Sequence, residues 1–343
     1  MMAYNRNRFA RAAFAIVAIW ATLATAAAAQ TRIKFSLGLK LEGPSAPLLV
    51  GLDKGYYRSE GLDVAFDTVA DPLQTIDRVA SGAYDMGFGD INLLIKFRDQ
   101  NPKMPVTAVF MGYNRPAYAI VTRKSRGVSQ PKDLEGKRLG APETDSAFAQ
   151  WKIFAKANGI DASKVTIDHV GFPVREPMLA AGQVDAVTGY SFSSYITLKD
   201  RGVPVDDIVV LLMADYGVDL YGNAVIVNPK FAAEKPDAVK GFLRGFLKGL
   251  KDTARNPASA VESVIKRNDD ADKATELERL HMALKDNILT PEVKQNGFGG
   301  VDTARLDRAI DQIAQTYAFR SKPKAGDIFD PSFLPPAADR KVD

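Results

Sequence analysis

The apolar positions of this chain switch between short strand-like runs and helix-like stripes, and one twelve-residue piece of that pattern occurs twice. Val79-Ala-Ser-Gly82-Ala-Tyr-Asp85-Met-Gly-Phe-Gly89-Asp90 is matched one hundred positions on by Leu179-Ala-Ala-Gly182-Gln-Val-Asp185-Ala-Val-Thr-Gly189-Tyr190. Each copy reads as a helix end, a glycine stop, a short apolar strand and a glycine-edged loop. Gly82 and Gly182 stand where a helix needs a left-handed residue just past its end. Residues 86–88 and 186–188 are mostly apolar, as expected of strands covered on both faces. The repeat predicts two α/β lobes of similar build. Each presents a loop, at Asp90 and Tyr190, at the carboxyl end of a strand, where open α/β sheets bind ligands. Two such edges facing each other make a cleft.

The same alternation continues along the chain. Strands are expected at 33–39, 62–66, 106–110 and 118–122, then at 138–140, 165–170, 208–213 and 224–227. Helices are expected at 46–54, 73–80, 91–98, 147–157 and 176–181. From Lys230 onward the pattern is helical. Val239, Phe242, Leu243, Phe246 and Leu250 make one stripe, and Lys240, Arg244, Lys248 and Lys251 a solvated opposite face. The segment from Ser321, with Pro323, Pro331, Pro335 and Pro336, reads as an extended surface tail.

The first 29 residues form a separate unit. Arg6, Arg8 and Arg11 precede an apolar run at 12–23 that is too short to span a bilayer, and Ala27-Ala28-Ala29 follows it. This reads as a secretory signal peptide. It carries three arginines and no acid, so the remainder has 42 Lys+Arg against 41 Asp+Glu, near neutrality. That balance is unlike a nucleic-acid binder. The chain has no cysteine, which excludes disulfides, thiolate metal sites and a lipid anchor on cysteine. The expected place is the periplasm, as a soluble monomer.

Catalytic patterns are sparse. The two histidines, His169 and His281, have no metal-ligand spacing, and neither a nucleophile elbow nor a phosphate-cradling glycine loop occurs. No metal and no cofactor is expected, and the reading is of a binding protein. The loops at the strand ends carry side chains suited to that. Before the first helices stand Glu42 and Ser45, Asp90 and Asn92. The next loop brings Tyr113 and Asn114. In the second lobe Asp145 and Ser146, Arg175, Tyr190 and Ser191 and then Tyr216 fall on the same kind of edge. Hydroxyls, amides and carboxylates orient a ligand, and aromatic faces exclude water. Each of these side chains also suits a helix cap or turn, Ser45, Asp145 and Ser191 most plainly.

Pro47-Leu-Leu-Val-Gly-Leu-Asp-Lys-Gly-Tyr-Tyr57 with Glu60-Gly-Leu-Asp-Val64 resembles the opening of periplasmic binding proteins of the nitrate/sulfonate/taurine type. Their superfamily includes the thiamine-pyrimidine-precursor binding proteins. Pro131-Lys-Asp-Leu-Glu-Gly-Lys-Arg-Leu-Gly140 and Ala180-Ala-Gly-Gln-Val-Asp-Ala186 are similar to the start and a helix–strand junction of the second lobe. The resemblance implies a two-lobed type II periplasmic binding fold, each lobe a mostly parallel sheet flanked by helices. Lobe 1 would hold residues 30–120 and 223–320, lobe 2 residues 121–222, and 321–343 the tail. Hinge strands would fall near 118–122 and 224–227. The resemblance further implies an ABC permease, with its cytoplasmic ATPase, as partner.

Helix starts offer backbone donors that favour an anionic group. Glu42, Asp90 and Asp145 oppose a bare anion and accept hydrogen bonds from an amine or aminopyrimidine. Sulfonate-type members of the family tend to have a small residue where this chain has Asp90. The expected cargo is therefore a small nitrogen-containing organic solute, an aminosulfonate such as taurine or an aromatic heterocycle. A plain alkanesulfonate or nitrate comes second. An enzyme of the related pyrimidine-synthesising kind is the alternative of another class, and such enzymes depend on a histidine and cysteines.

Overall fold

The computed structural model describes residues 30–38, 40–69 and 71–342. The expected signal peptide, 1–29, lies outside them. Ten strands form two five-stranded sheets. The first has the order β2-β1-β3-β10-β4, from β1 (Thr31–Ser36), β2 (Leu62–Asp67), β3 (Met86–Asp90), β4 (Thr107–Met111) and β10 (Asn223–Val227). The second has the order β7-β6-β8-β5-β9, from β5 (Tyr118–Arg123), β6 (Arg138–Ala141), β7 (Thr166–His169), β8 (Ala186–Tyr190) and β9 (Ile208–Leu212).

The two sheets have the same plan. In each, the first three strands pair in parallel, and one antiparallel strand is inserted before the edge. That inserted strand comes from the other half of the chain. β5 follows β4 of the first sheet but pairs with β8 and β9, along its whole length. β10 follows β9 of the second sheet but pairs with β3 and β4. The chain thus crosses between sheets twice, at residues 112–117 and 213–222, and the strands read as hinges each lie wholly within one sheet.

The doubled sequence pattern becomes a doubled structure. Gly82 and Gly182 end their helices at φ 76° and 73°, a region in which side chains with a Cβ are strained. Each strand then runs straight into a helix, β3 into Ile91–Gln100 and β8 into Ser191–Asp200. The second of these helices is absent from the sequence reading. Its residues, Ser-Phe-Ser-Ser-Tyr-Ile-Thr-Leu, mix polar and apolar types on every side, and only burial of Phe192, Ile196 and Leu198 reveals its inner face. The helix expected at 147–157 starts instead with a tight turn, Phe148–Gln150, before Trp151–Ala157.

The long helix Pro236–Arg255 buries its predicted stripe. Phe242 stacks between Phe35 and Tyr57, with ring centroids 4.9 and 5.0 Å away. Lys240, Arg244 and Lys248 lie on the exposed face as expected. The tail differs from its reading. Ile328 and Phe329 are buried, Phe329 bridges Ala108 of β4, and Arg340 donates to the carbonyls of Phe298 and Pro335. Apolar residues in a proline-rich segment cover the edge of β4, which would otherwise present unpaired backbone groups.

Candidate functional site

The carboxyl ends of β1, β3, β6 and β8 each lead into a helix or helical turn, and these starts face one another across the two sheets. Polar bonds cross directly. Ser193 Oγ donates to Glu42 at 2.7 Å, Lys199 pairs with Glu278 at 2.5 Å, and Lys96 Nζ donates to the Ala149 carbonyl at 3.2 Å. The cleft between the sheets is closed.

At its centre lies Asp90, 1% exposed. One carboxylate oxygen caps the helix Ile91–Gln100, accepting from the amides of Asn92 at 2.8 Å and Leu93 at 3.1 Å. The other accepts the Tyr118 hydroxyl at 2.5 Å. Burial pushes the Asp90 carboxyl up, against the pull of these hydrogen bonds. Asn92 Nδ2 donates to Tyr118 Oη and to the Tyr221 carbonyl, both at 2.7 Å. A carbonyl partner fixes which amide atom is nitrogen, so Oδ1 is the one left over, buried and without a donor. Tyr190 Oη donates to Asn223 Oδ1 at 2.9 Å. Ser146 comes from the other sheet, within electrostatic reach of Asp90 and Tyr190, yet its buried hydroxyl meets no partner with hydrogen-bond geometry. Ser191 Oγ and Gln150 Oε1 are likewise buried and unpartnered.

A second cluster sits behind Ser146. Arg175, 8% exposed, donates through Nε to Glu176 at 2.6 Å and through Nη1 to Asp145 at 3.4 Å. Asp145 also accepts Thr188 Oγ1 at 2.6 Å, and Glu176 accepts Ser194 Oγ at 2.7 Å. Gly189 makes room for this: a Cβ there would lie 3.0 Å from the guanidinium carbon and 2.4 Å from Ser194 Oγ. Burial works against the charged form of Arg175, and its two carboxylates more than offset that and raise its pKa.

The third cluster closes the side of the cleft. Glu276, 5% exposed, accepts the Gly43 amide at 2.6 Å and Arg279 Nε at 3.1 Å. Burial raises the Glu276 carboxyl. Arg279 Nη1 lies 3.6 Å from Glu42 and has no hydrogen-bond partner. Aromatic rings fill the space between. Tyr113 packs edge-on against Phe88 and Phe192 at 5.3 and 6.3 Å, and Tyr190 against Phe192 at 5.8 Å.

Glu42, Asp90, Asn92, Tyr113, Asp145, Ser146, Arg175, Tyr190 and Ser191 therefore come together around one closed cleft. Three expected site residues do not join them. Asn114 turns away to accept Thr290 Oγ1 at 2.7 Å and lines a separate cavity of about 270 Å³ with Glu292, Asp302 and Arg340. Tyr216 packs its ring on Phe154 at 6.1 Å, and its carbonyl accepts Asn158. Ser45 reaches back to the Lys40 carbonyl at 3.4 Å and caps nothing. In each case a nearby backbone or core partner outcompetes the cleft. Sequence reasoning missed Tyr118, whose hydroxyl links Asp90 and Asn92. It also missed Glu176, Ser193 and Arg279, which sit on helix faces with no local signature. Asp90 and Asp145 satisfy themselves with caps and neighbours, so their charges are turned inward. Arg115, in the loop after β4, pairs with Asp215. Both histidines are exposed and outside the cleft, and among the described residues no cluster suits a metal ion.

This arrangement is a recessed, closed cleft lined by five carboxylates and two guanidiniums, each guanidinium flanked by two of the carboxylates. A family model described as NMT1/THI5 like matches residues 43–260. The chain belongs to the NMT1/THI5-like family. Among its relatives, a formylaminopyrimidine-binding protein of Halalkalibacterium halodurans is 28% identical over 78% of this chain and 79% of its own length. A riboflavin-binding protein of Chloroflexus aurantiacus is 29% identical over 63% of this chain. The chain spans 61% of that relative's length. The family also reaches enzymes, such as a 4-amino-5-hydroxymethyl-2-methylpyrimidine phosphate synthase of Schizosaccharomyces pombe, 26% identical over 64% of this chain and 64% of its own length. Among solved structures, the aliphatic sulphonate binding protein SsuA of Escherichia coli superposes with a TM-score of 0.68 at 13% identity, covering 89% of this chain and 94% of its own. The nitrate-binding protein NrtA of Synechocystis PCC 6803 gives 0.68 at 13%, covering 89% and 87%. At that identity the likeness is one of fold: this NMT1/THI5-like chain has the architecture of the substrate-binding components of ABC importers.

Proposed function

We propose that this protein is an exported substrate-binding component of an ABC importer, and that its cargo is a flat nitrogen-bearing heterocycle rather than a sulfonate or nitrate. The observation that carries the reading is the flanking of both cleft guanidiniums by carboxylates. Arg175 lies between Asp145 and Glu176, and Arg279 between Glu276 and Glu42. A small anion would meet a carboxylate beside either one, in a site where carboxylates outnumber cations. Asn92 Oδ1 and Gln150 Oε1 instead offer unfilled acceptors to N–H groups, in a cleft that also holds the rings of Tyr118, Phe192 and the half-buried Tyr190. Relatives named for binding a formylaminopyrimidine and riboflavin, both flat and rich in nitrogen, support the same class. The leader read at 1–29 supplies export. The cleft's lack of histidine, and the chain's lack of cysteine, favour capture over turnover.

A thermal-shift panel tests this. The panel holds a formylaminopyrimidine, riboflavin, taurine, an alkanesulfonate and nitrate, each at about a hundredfold excess over a micromolar dissociation constant. A bound cargo stabilises the native chain by roughly 3 kcal/mol, several degrees of melting temperature. The expected result is a shift with a heterocycle and none with nitrate or the alkanesulfonate. A shift with the anions alone would overturn the cargo class. Release of a modified product from any panel member would overturn the binding role.

A further inference from the structure

We infer that Glu42 is the specificity-determining carboxylate of the cleft, accepting the exocyclic amine of an amino-substituted ring, with Arg279 donating to the ring nitrogen beside it. This rests on the heterocycle reading above and names the residues that would recognise such a ring.

The other four carboxylates of the cleft are already engaged. Asp90 gives one oxygen to two backbone amides and the other to Tyr118. Asp145 holds the Ala147 amide, Thr188 and Arg175. Glu176 holds Arg175 and Ser194, and Glu276 holds the Gly43 amide and Arg279. All four are at most 5% exposed. Glu176 and Glu276 also take their contacts on one oxygen each, but both are buried, and Glu42 differs in its exposure. Its side chain keeps 22% exposure, and its contacts fall on one oxygen alone, where Ser193 donates at 2.7 Å and Arg279 stands 3.6 Å away. The second oxygen, Oε1, has no hydrogen-bond partner among the described residues.

Arg279 is the complementary half. It is 5% exposed, its Nε is bound to Glu276, and its Nη1 is a buried donor with nothing to donate to. A charged donor left unfilled in a buried place is costly, and a ligand that fills it recovers that cost. An unfilled acceptor and an unfilled donor side by side match a ring in which an amine adjoins an unprotonated ring nitrogen. The amine donates to Glu42, and the nitrogen accepts from Arg279. Neither a sulfonate nor nitrate carries such a donor–acceptor edge.

Position gives the pair a second consequence. Glu42 precedes the first helix of the first sheet, and Ser193 lies on the helix that β8 feeds in the second. Glu42 is therefore held from both sides of the cleft, and a ring bound to it rests against the contact that keeps the sides together. Its charge reaches Tyr113 and Arg175, one from each side.

The test compares, by calorimetric titration, a formylaminopyrimidine and its analogue with hydrogen in place of the amine, on wild type, Glu42→Gln and Ser193→Ala. Loss of a hydrogen bond to a charged acceptor costs about ten- to a hundredfold in affinity. The expected result is such a loss in wild type on removing the amine. Glu42→Gln should bind the amino compound equally more weakly and hardly distinguish the two compounds. Ser193→Ala keeps the carboxylate and should keep the preference. If wild type binds both compounds equally, the inference fails while the heterocycle reading stands, and the same holds if Glu42→Gln keeps the full preference. If wild type binds neither, the heterocycle reading fails and this inference with it. The wild-type comparison alone decides the matter should Glu42→Gln not fold.

Discussion

Replacing Arg175 with methionine is expected to destabilise the protein by about 3–5 kcal/mol, the range for removing one partner from a buried ionic cluster. The guanidinium is the one cation between Asp145, 3% exposed, and Glu176, 5% exposed. Without it two carboxylates face each other in a place water does not reach. Thr188 and Ser194 each satisfy one of them in part, so the loss falls short of complete unfolding. Lysine should restore only a fraction, because one ammonium cannot reach both carboxylates as a planar fork does. Neutralising the partners instead, in the triple variant Arg175→Met, Asp145→Asn, Glu176→Gln, should recover most of the stability. Urea denaturation at neutral pH measures all four chains. A single-variant cost under about 1 kcal/mol, or no recovery in the triple variant, would show that the cluster is not coupled as its geometry requires.

Asp90→Ala carries the second large effect, about 2–4 kcal/mol. Loss of a helix cap accounts for about 0.5–2 kcal/mol. The Tyr118 hydroxyl, fully buried, then has no acceptor for its proton, which adds about 1–3 kcal/mol. Asp90→Asn keeps an acceptor for the cap and should cost less. It also changes the pH dependence in a defined direction. Burial raises the Asp90 carboxyl in the folded chain, so the folded state holds that proton more tightly than the unfolded one. Its contribution is most favourable below the ordinary carboxylate value and falls as pH climbs from there through the folded value. Asparagine lacks this decline. The stability gap between wild type and Asp90→Asn should therefore narrow as pH rises from about 4 toward neutrality, and a widening gap would contradict the burial argument.

Those two residues mark the boundary of what was legible in the chain. Both were expected at the cleft, and both are there. Their chemistry was not readable, because whether a carboxylate faces a ligand or its own helix depends on partners far away in sequence. Tyr118 lies 28 positions from Asp90, and Glu176 is 31 positions from Asp145. The sheets were legible because their signals are local: the glycine stops at 82 and 182, the short apolar strands and the loops that follow them. The helix Ser191–Asp200 was not, since its burial is decided by packing rather than by period. Arg279 had no signal at all. Glu42, across from its guanidinium, is more than two hundred positions away, and only the folded chain joins them. Asn114 and Tyr216 were expected from their place in loops at strand ends, and partners outside the cleft hold them.

The central claim is that one flat nitrogenous molecule is held between the two sheets. A crystal structure of the complex with the heterocycle that gives the largest thermal shift tests it most directly. The account predicts a single bound ring among Tyr113, Tyr190 and Phe192, within hydrogen-bond distance of Asn92 or Ser146 on one edge and of Glu42 on the other. A ring found instead in the cavity beside Asn114 and Arg340, or bound to residues of one sheet only, would contradict it.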